Sequence, residues 1–274
     1  MRIVDTHLHL VYRDRLAYPW LAGAPALDRD FPLLAYQRAA EGLGIAAMLH
    51  MEVDVAEEDI AAETELVSVL GEGVVGAVAA CRPERADFPV WLARAAENPK
   101  VRGFRRVLHT MPDALSEPPL FAQNLRRLAA RDLTFDLCVL ARQLPIAARL
   151  ADACPDVRFV LDHCGVPDVA GRALDPWRAD LADLARRPNV ACKISGLVAY
   201  AGPDWTVDDL RPFVEHAIAT FGWDRVVWGS DWPVCTLTAD LGRWVAATQA
   251  LLAGASEAEK TKLLSANAER IYRL

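Results

Sequence analysis

The feature that most constrains this chain is an alternation repeated eight times along it. A short β-branched or apolar run is followed each time by a longer amphipathic stretch. The runs are Ile3–Leu8, Ile45–Met51, Val74–Ala80, Val101–Val107, Thr134–Val139, Val157–Leu161, Val190–Ile194 and Arg225–Trp228. Most are nearly continuous in apolar residues, as parallel strands covered on both faces must be. The stretches Leu33–Glu41, Ile60–Leu70, Val90–Ala96, Leu120–Ala130, Leu144–Ala153, Trp177–Ala185, Val207–Phe221 and Ala239–Leu252 place apolar residues three or four apart and read as helices. Helix starts are visible at Ser116-Glu117-Pro118-Pro119 and at Thr206 with Asp208-Asp209. A last helix, Ser256–Tyr272 (segment 256–274), opens with the capping box Ser256-Glu257-Ala258-Glu259. Eight strand–helix units in 274 residues predict one α/β domain over 1–274, a (β/α)8 TIM barrel. The alternative, a doubly wound open sheet, would carry a Gly-rich first turn after strand one, and none is present. The longest irregular stretch, Val11–Pro32 (11–32), would be the first βα loop, over the catalytic face of a barrel.

Several function classes fall away on composition. Apolar residues make up 53% of the chain and charged residues 24%, which excludes a disordered protein. No apolar stretch approaches the ~18–20 residues of a membrane span, and the N-terminus has no signal-like apolar region. Net charge is −7 and the 30 basic residues are scattered, so no nucleic acid is expected as partner. The six cysteines lack CxxC spacing and sit mostly in apolar runs, which predicts reduced, buried thiols in a cytoplasmic protein and excludes a zinc ribbon.

In a barrel, chemistry belongs at the C-terminal strand ends. Strand one ends in Asp5-Thr6-His7-Leu8-His9, and two histidines two apart share one face. That pair can bind one metal ion, whereas HxH alone occurs by chance. Strand two ends in His50-Met51-Glu52. Glu52 is a candidate ligand, a partner for a histidine, or a solvated carboxylate. His50 sits deeper, where a hydrogen-bonded core histidine is as good a reading. Strand four supplies Arg105, Arg106 and His109. Two arginines suit an anionic or carbonyl-bearing substrate, with a surface salt bridge as the plain alternative for one of them. No lysine stands on strand four, so a carbamylated lysine bridging two metals is unavailable there. Strand six ends Asp162-His163-Cys164-Gly165, placing His163 where a catalytic loop would begin. Strand seven carries Lys193, which either lines a polar cavity or snorkels outward. Strand eight ends Gly229-Ser230-Asp231-Trp232-Pro233, with Asp231 facing strand one across a closed barrel as a candidate general base. His216, mid-helix, reads as a surface or interhelical residue.

Asp5-Thr6-His7-Leu8-His9, Leu161-Asp162-His163-Cys164-Gly165-Val166-Pro167 and Gly229-Ser230-Asp231-Trp232-Pro233, in that order across the whole chain, resemble the amidohydrolase superfamily. Further pieces resemble its lactonase branch, which includes L-fucono-, L-rhamnono- and pyrone-dicarboxylate lactonases. They are Tyr18-Pro19-Trp20-Leu21, Val101-Arg102-Gly103-Phe104-Arg105, Phe135-Asp136-Leu137-Cys138, Asn189-Val190-Ala191-Cys192-Lys193-Ile194-Ser195-Gly196-Leu197 and Asn267-Ala268. Two positions depart from the branch. Val11 stands where an aromatic is common, and Glu52 where the second strand commonly ends in Gln.

The resemblance implies hydrolysis of a sugar-acid or dicarboxylate lactone by water, with Asp231, His163 and Lys193 in catalytic roles. Arg105, Arg106, His109, Tyr18, Trp20 and Trp232 would contact substrate. His7, His9, Glu52 and Asp231 would hold one divalent ion, Zn²⁺ before others, since imidazole and carboxylate without thiolate suit Zn²⁺ or Mn²⁺. Some members of the branch work without a metal, so metal dependence stays open. Two rivals remain: a zinc-dependent non-oxidative decarboxylase of an aromatic acid, and a barrel that binds a sugar acid without turnover. The sequence fits a monomer or a small homo-oligomer.

Overall fold

The computed structural model describes all of residues 1–274. Eight parallel strands follow one another in order around the sheet: β1 (Ile3–Leu8), β2 (Ile45–Met51), β3 (Val74–Ala80), β4 (Val101–Val107), β5 (Thr134–Cys138), β6 (Arg158–Leu161), β7 (Val190–Ile194) and β8 (Val226–Trp228). Between them run α1 (Leu33–Ala39), α2 (Ile60–Val69), α3 (Phe88–Ala95), α4 (Pro119–Ala129), α5 (Leu144–Ala153), α6 (Trp177–Ala185), α7 (Val207–Phe221) and α8 (Leu241–Leu251). This is the TIM-barrel architecture expected from the alternation. No helix is long and apolar enough to cross a membrane.

Element boundaries shift where local chemistry demands it. Helix α3 starts at Phe88, not Val90, because Pro89 falls in its first turn, where the missing N–H costs nothing. Helix α8 starts at Leu241, because Asp240 is its N-cap and accepts a hydrogen bond from the Arg243 amide. The capping box at Ser256 and Glu259 forms as expected, but the last helix is not uniform. It runs as α9 (Glu257–Thr261), a π-helical turn over Lys262–Ala266, and α10 (Asn267–Tyr272).

The seam between β8 and β1 decides the site's geometry. No long ladder closes it. Two backbone bonds do: the Asp231 amide donates to the His7 carbonyl at 2.7 Å, and the His9 amide donates to the Trp232 carbonyl at 2.7 Å. Gly229 lets the strands approach, since a Cβ there would lie 2.7 Å from the His7 Cβ. Below the seam, β1 carries a bulge. Asp5 pairs with Met48 and Leu8 with His50, so β1 spends one residue more than β2 over that interval. Val4 and His7 thereby both face the interior although they are an odd number of residues apart.

The main apolar core lies between strands and helices. A smaller one fills the lower interior: Val4, Leu49, Val78, Val160 and Val227 meet Ala268, Ile271 and Tyr272, so the last helix plugs the N-terminal end of the barrel. The 11–32 loop is ordered. Val11 and Phe31 pair at its neck, and it docks on the loop after β2 through Ala17 and Ala56.

Candidate active site

His7 and His9 project from the end of β1 into the barrel mouth. The His9 Nδ1 lies 3.1 Å from the Met51 carbonyl, which can only accept, so Nδ1 carries the proton and Nε2 a lone pair. The two Nε2 atoms are 3.2 Å apart. The Asp231 Oδ1 lies 3.7 Å from the His7 Nε2 and 3.5 Å from the His9 Nε2. His163 joins from the other side, its Nε2 3.9 Å from the same oxygen and its Nδ1 2.8 Å from the Ser195 Oγ.

Two of these residues stand on strained backbone. Asp231 has φ +57°, and His163, Cys164, Gly165 and Val166 form a consecutive left-handed run at φ +54°, +53°, +72° and +50°. For non-glycine residues that conformation costs ~1–2 kcal/mol each, most for a β-branched valine. Hydrogen bonds hold it: the Trp177 indole donates to the Cys164 carbonyl at 2.7 Å, the Asp231 amide to the His7 carbonyl across the seam, and the Cys235 amide to the Asp231 carbonyl at 2.8 Å within the turn. Gly196 makes room for the His163 ring, since a Cβ there would lie 2.4 Å from its Nδ1.

Electrostatics follow from burial. It holds the His7 pKa well below an ordinary imidazole's, with Asp162 offsetting only in part. Burial, helped by Arg105, takes His9 down to about 3. Both rings are therefore neutral ligands or acceptors. Burial raises Asp231 to about 6, against the pull of His163 and Arg105. At Asp162 burial is outweighed by Lys193, His7 and Arg105, which hold the carboxyl well below the usual range.

These features test whether a metal fits. Ligands at ~2.0–2.1 Å on a tetrahedral ion lie ~3.3–3.4 Å apart. The three edges between His7, His9 and Asp231 are 3.2, 3.7 and 3.5 Å. The His9 Nε2 and the Asp231 oxygen are acceptors, and the His7 Nε2 joins them when that ring carries its proton on Nδ1. The nearest donor is the Arg105 Nη1, 3.4 Å from the His7 Nε2. In the upper interior two cations, Arg105 and Lys193, face four buried carboxylates, Glu52, Asp136, Asp162 and Asp231. A divalent cation would balance that charge. The residues fit such an ion, held by His7, His9 and Asp231 with His163 alongside.

The amidohydrolase family model matches residues 4–274. This chain belongs to the amidohydrolase family. It is 33% identical to an L-fucono-1,5-lactonase of Burkholderia multivorans over 99% of this chain and 96% of that protein. It is 32% identical to an L-fucono-1,5-lactonase of Burkholderia ambifaria over 89% of this chain and 85% of that one. The crystal structure of an amidohydrolase from B. multivorans with bound zinc superposes with a TM-score of 0.89 at 30% identity, covering both chains in full.

In this amidohydrolase several residues lie elsewhere than their sequence positions suggested. Glu52 does not join the cluster of imidazoles. It lies one residue past the end of β2, its Oε1 accepts from the Arg105 Nε at 2.6 Å, and its Oε2 accepts from the Asp54 amide at 2.7 Å. Arg105 is correspondingly committed to Glu52, through its side chain and its carbonyl. Lys193 neither snorkels nor reaches the mouth. It is fully buried beneath His7, 2.6 Å from Asp136 and 2.9 Å from Asp162. Arg106 pairs with Glu84 at 2.9 Å, the plain alternative read from the sequence. Trp232 packs edge-on against Phe31 and Tyr36, under the first loop rather than over the site. Tyr18 and Trp20 spend their polar atoms on the loop and its neighbour: the Tyr18 hydroxyl accepts from the Tyr12 amide, and the Trp20 indole donates to the Val53 carbonyl. The His109 Nδ1 lies 2.9 Å from the Cys138 Sγ. All six cysteines are free and buried, as expected.

Four residues were not singled out from the sequence. Asp162 lies beside His7, its Oδ1 3.3 Å from Nδ1, Asp136 holds Lys193, and Asp5 accepts from the Ser230 and His7 amides and the Tyr36 hydroxyl across the seam. Tyr200, after β7, sets its ring 6.3 Å from that of His163 at the mouth. A carboxylate inside or just after an apolar strand is the signal that could have found the first three.

Proposed function

We propose that this amidohydrolase opens the ring ester of a small lactone, of the sugar-acid or dicarboxylate class. The observation that carries the reading is the convergence of the His7 and His9 Nε2 atoms and a carboxylate at the open end of a rigid barrel. In this reading water adds to the lactone carbonyl carbon as the Asp231 carboxylate takes its proton. The tetrahedral adduct then expels the ring oxygen, which receives that proton from Asp231, and a hydroxy acid leaves. Burial, which raises Asp231 to about 6 in the metal-free chain, makes its carboxylate a stronger base than an exposed aspartate. His7, His9 and Asp231 would hold a divalent ion, which would supply Lewis-acid polarisation and a water of lowered pKa. Asp162 orients His7, the Met51 carbonyl orients His9 and Ser195 orients His163, so each ring is fixed before substrate arrives. Arg105, locked on Glu52, keeps positive charge beside the site without moving, where it steadies a developing oxyanion. Similarity to two L-fucono-1,5-lactonases supports a sugar-acid lactone first. A pH-stat panel of aldonolactones and dicarboxylic lactones, with and without chelator, tests the reading. CO₂ release from aromatic acids with no lactone opened would replace it by decarboxylation, and tight sugar-acid binding without turnover by a binding role.

A further inference from the structure

A line of buried polar groups descends from the mouth to the barrel floor, through an interior that is otherwise aliphatic apart from Met51. Below His7 stands the Lys193 Nζ, 3.2 Å from the His7 Nδ1, 2.9 Å from the Asp162 Oδ1 and 2.6 Å from the Asp136 Oδ2. Below Asp136 the Tyr272 hydroxyl, entering from the last helix, donates to the same Oδ2 at 2.7 Å. The other Asp136 oxygen has only a long contact, 3.4 Å from the Thr134 Oγ1. Burying this many ionic groups is costly, and packing alone would be met by apolar residues of similar volume.

We infer that Tyr272 is a positioning residue of the active site, which through Asp136 and Lys193 keeps the proton of His7 on Nδ1. The His7 Nδ1 has two neighbours that ask opposite things of it. Asp162, whose buried Oδ1 lies 3.3 Å away and has no hydrogen-bond partner, calls for a hydrogen bond from Nδ1–H, which leaves the Nε2 lone pair facing His9 and Asp231. Lys193 can only donate, and a bond from it to Nδ1 moves the ring proton to Nε2, into the site. Which one wins depends on where the ammonium is held. Asp136 draws it 0.6 Å closer than His7 does, and the Tyr272 hydroxyl fixes the oxygen that does so. Without the hydroxyl the Asp136 carboxylate is free to rotate, and Lys193 follows toward His7.

The last helix is built for this reach. Its π-turn at Lys262–Ala266 inserts a residue, which rotates α10 by about 100° relative to an unbroken α-helix and aims Ala268, Ile271 and Tyr272 into the floor. The Asn267 side chain pins the turn's exit to the Trp223 and Val226 carbonyls, both at 2.7 Å.

The test is ¹⁵N NMR of the imidazoles in full-length, metal-free protein, with the His7 signals assigned by their loss in His7→Gln. The unaltered protein should show His7 as the Nδ1–H tautomer. Tyr272→Phe, which keeps the ring and removes one oxygen, should populate the Nε2–H form. In the same variant kcat on the best lactone should fall about tenfold, the lower end for removing a partner behind a ligand, with KM unchanged. Asp136→Asn should move the tautomer the same way. An unchanged His7 tautomer in a folded Tyr272→Phe protein overturns the inference, and so does failure of both variants to fold, which would make the column a folding device. The kcat arm rests on the lactonase reading and the NMR arm does not. A tautomer shift in a protein that opens no lactone therefore upholds this inference while removing that reading.

Discussion

His7 and His50 stand on neighbouring strands at nearly the same height, both buried, and each has a carboxylate beside it. The His7 Nδ1 is 3.3 Å from Asp162, and the His50 Nε2 is 3.4 Å from Glu63. Their surroundings are nonetheless unlike. His7 faces the interior, where His9 and Asp231 bring further ligand atoms to the same point and His163 stands alongside. His50 faces outward onto α2, where it meets one carboxylate whose Oε1 also accepts from the Val53 amide. A buried imidazole beside a carboxylate is thus a building material. What makes a site is convergence, and strand parity decides which side of the barrel wall converges.

The sharpest way to break that contrast is Asp231→Asn. Asparagine tolerates the left-handed backbone at this position, so the fold should survive while kcat falls ~10²–10⁴-fold. Near-unchanged turnover on the best lactone would remove Asp231 as base. Metal content comes next. Protein purified without added metal should carry about one equivalent of divalent ion, zinc before others, and lose most of its turnover on chelation. Less than about 0.1 equivalent with full activity would leave His7 and His9 to act on the substrate directly.

Lys193→Met probes the inner region's dependence on charge. It strands Asp136 and Asp162 in the interior and should cost ~3–5 kcal/mol in denaturant unfolding. An equally stable variant would mean that the carboxylates are neutral in the folded protein. The pH profile should show an acid limb. Because the base must be ionised, kcat should fall ~tenfold per pH unit below the Asp231 pKa, which burial raises to about 6 in the metal-free chain and a bound cation would lower. The smallest effect on turnover belongs to the outer pair. Glu63→Gln should cost ~1–3 kcal/mol of stability and leave kcat within about twofold. A large kcat loss there would show that the two faces of β2 are coupled.

Much of this contrast is legible in the chain itself. His7, His9, His163 and Asp231 are legible as polar residues at or just past strand ends, because each follows an apolar run, whereas the inward turn of His7 rests on the β1 bulge, which parity does not foresee. Parity fails at Glu52, which it puts on the face of His50. The strand has already ended there, and the turn at Asp54, with φ +46°, carries the carboxylate to Arg105 instead. It is also insufficient at Lys193. The sequence shows a lysine in an apolar strand, but not that its partners stand 57 and 31 residues away, on β5 and just past the end of β6.

The sequence by itself determined the number of strands, their order, the mouth at which polar residues gather and the families of chemistry open to them. Those come from periodicities of two and 3.6 and from where charge interrupts an apolar run. Only the tertiary structure decided the pairings. Asp162 under His7, Glu52 on Arg105, the bulge in β1 and the Tyr272 hydroxyl under Asp136 each join segments far apart in the chain. A buried polar group accepts whichever partner closure of the barrel brings within ~3 Å, and no local pattern records which one that is.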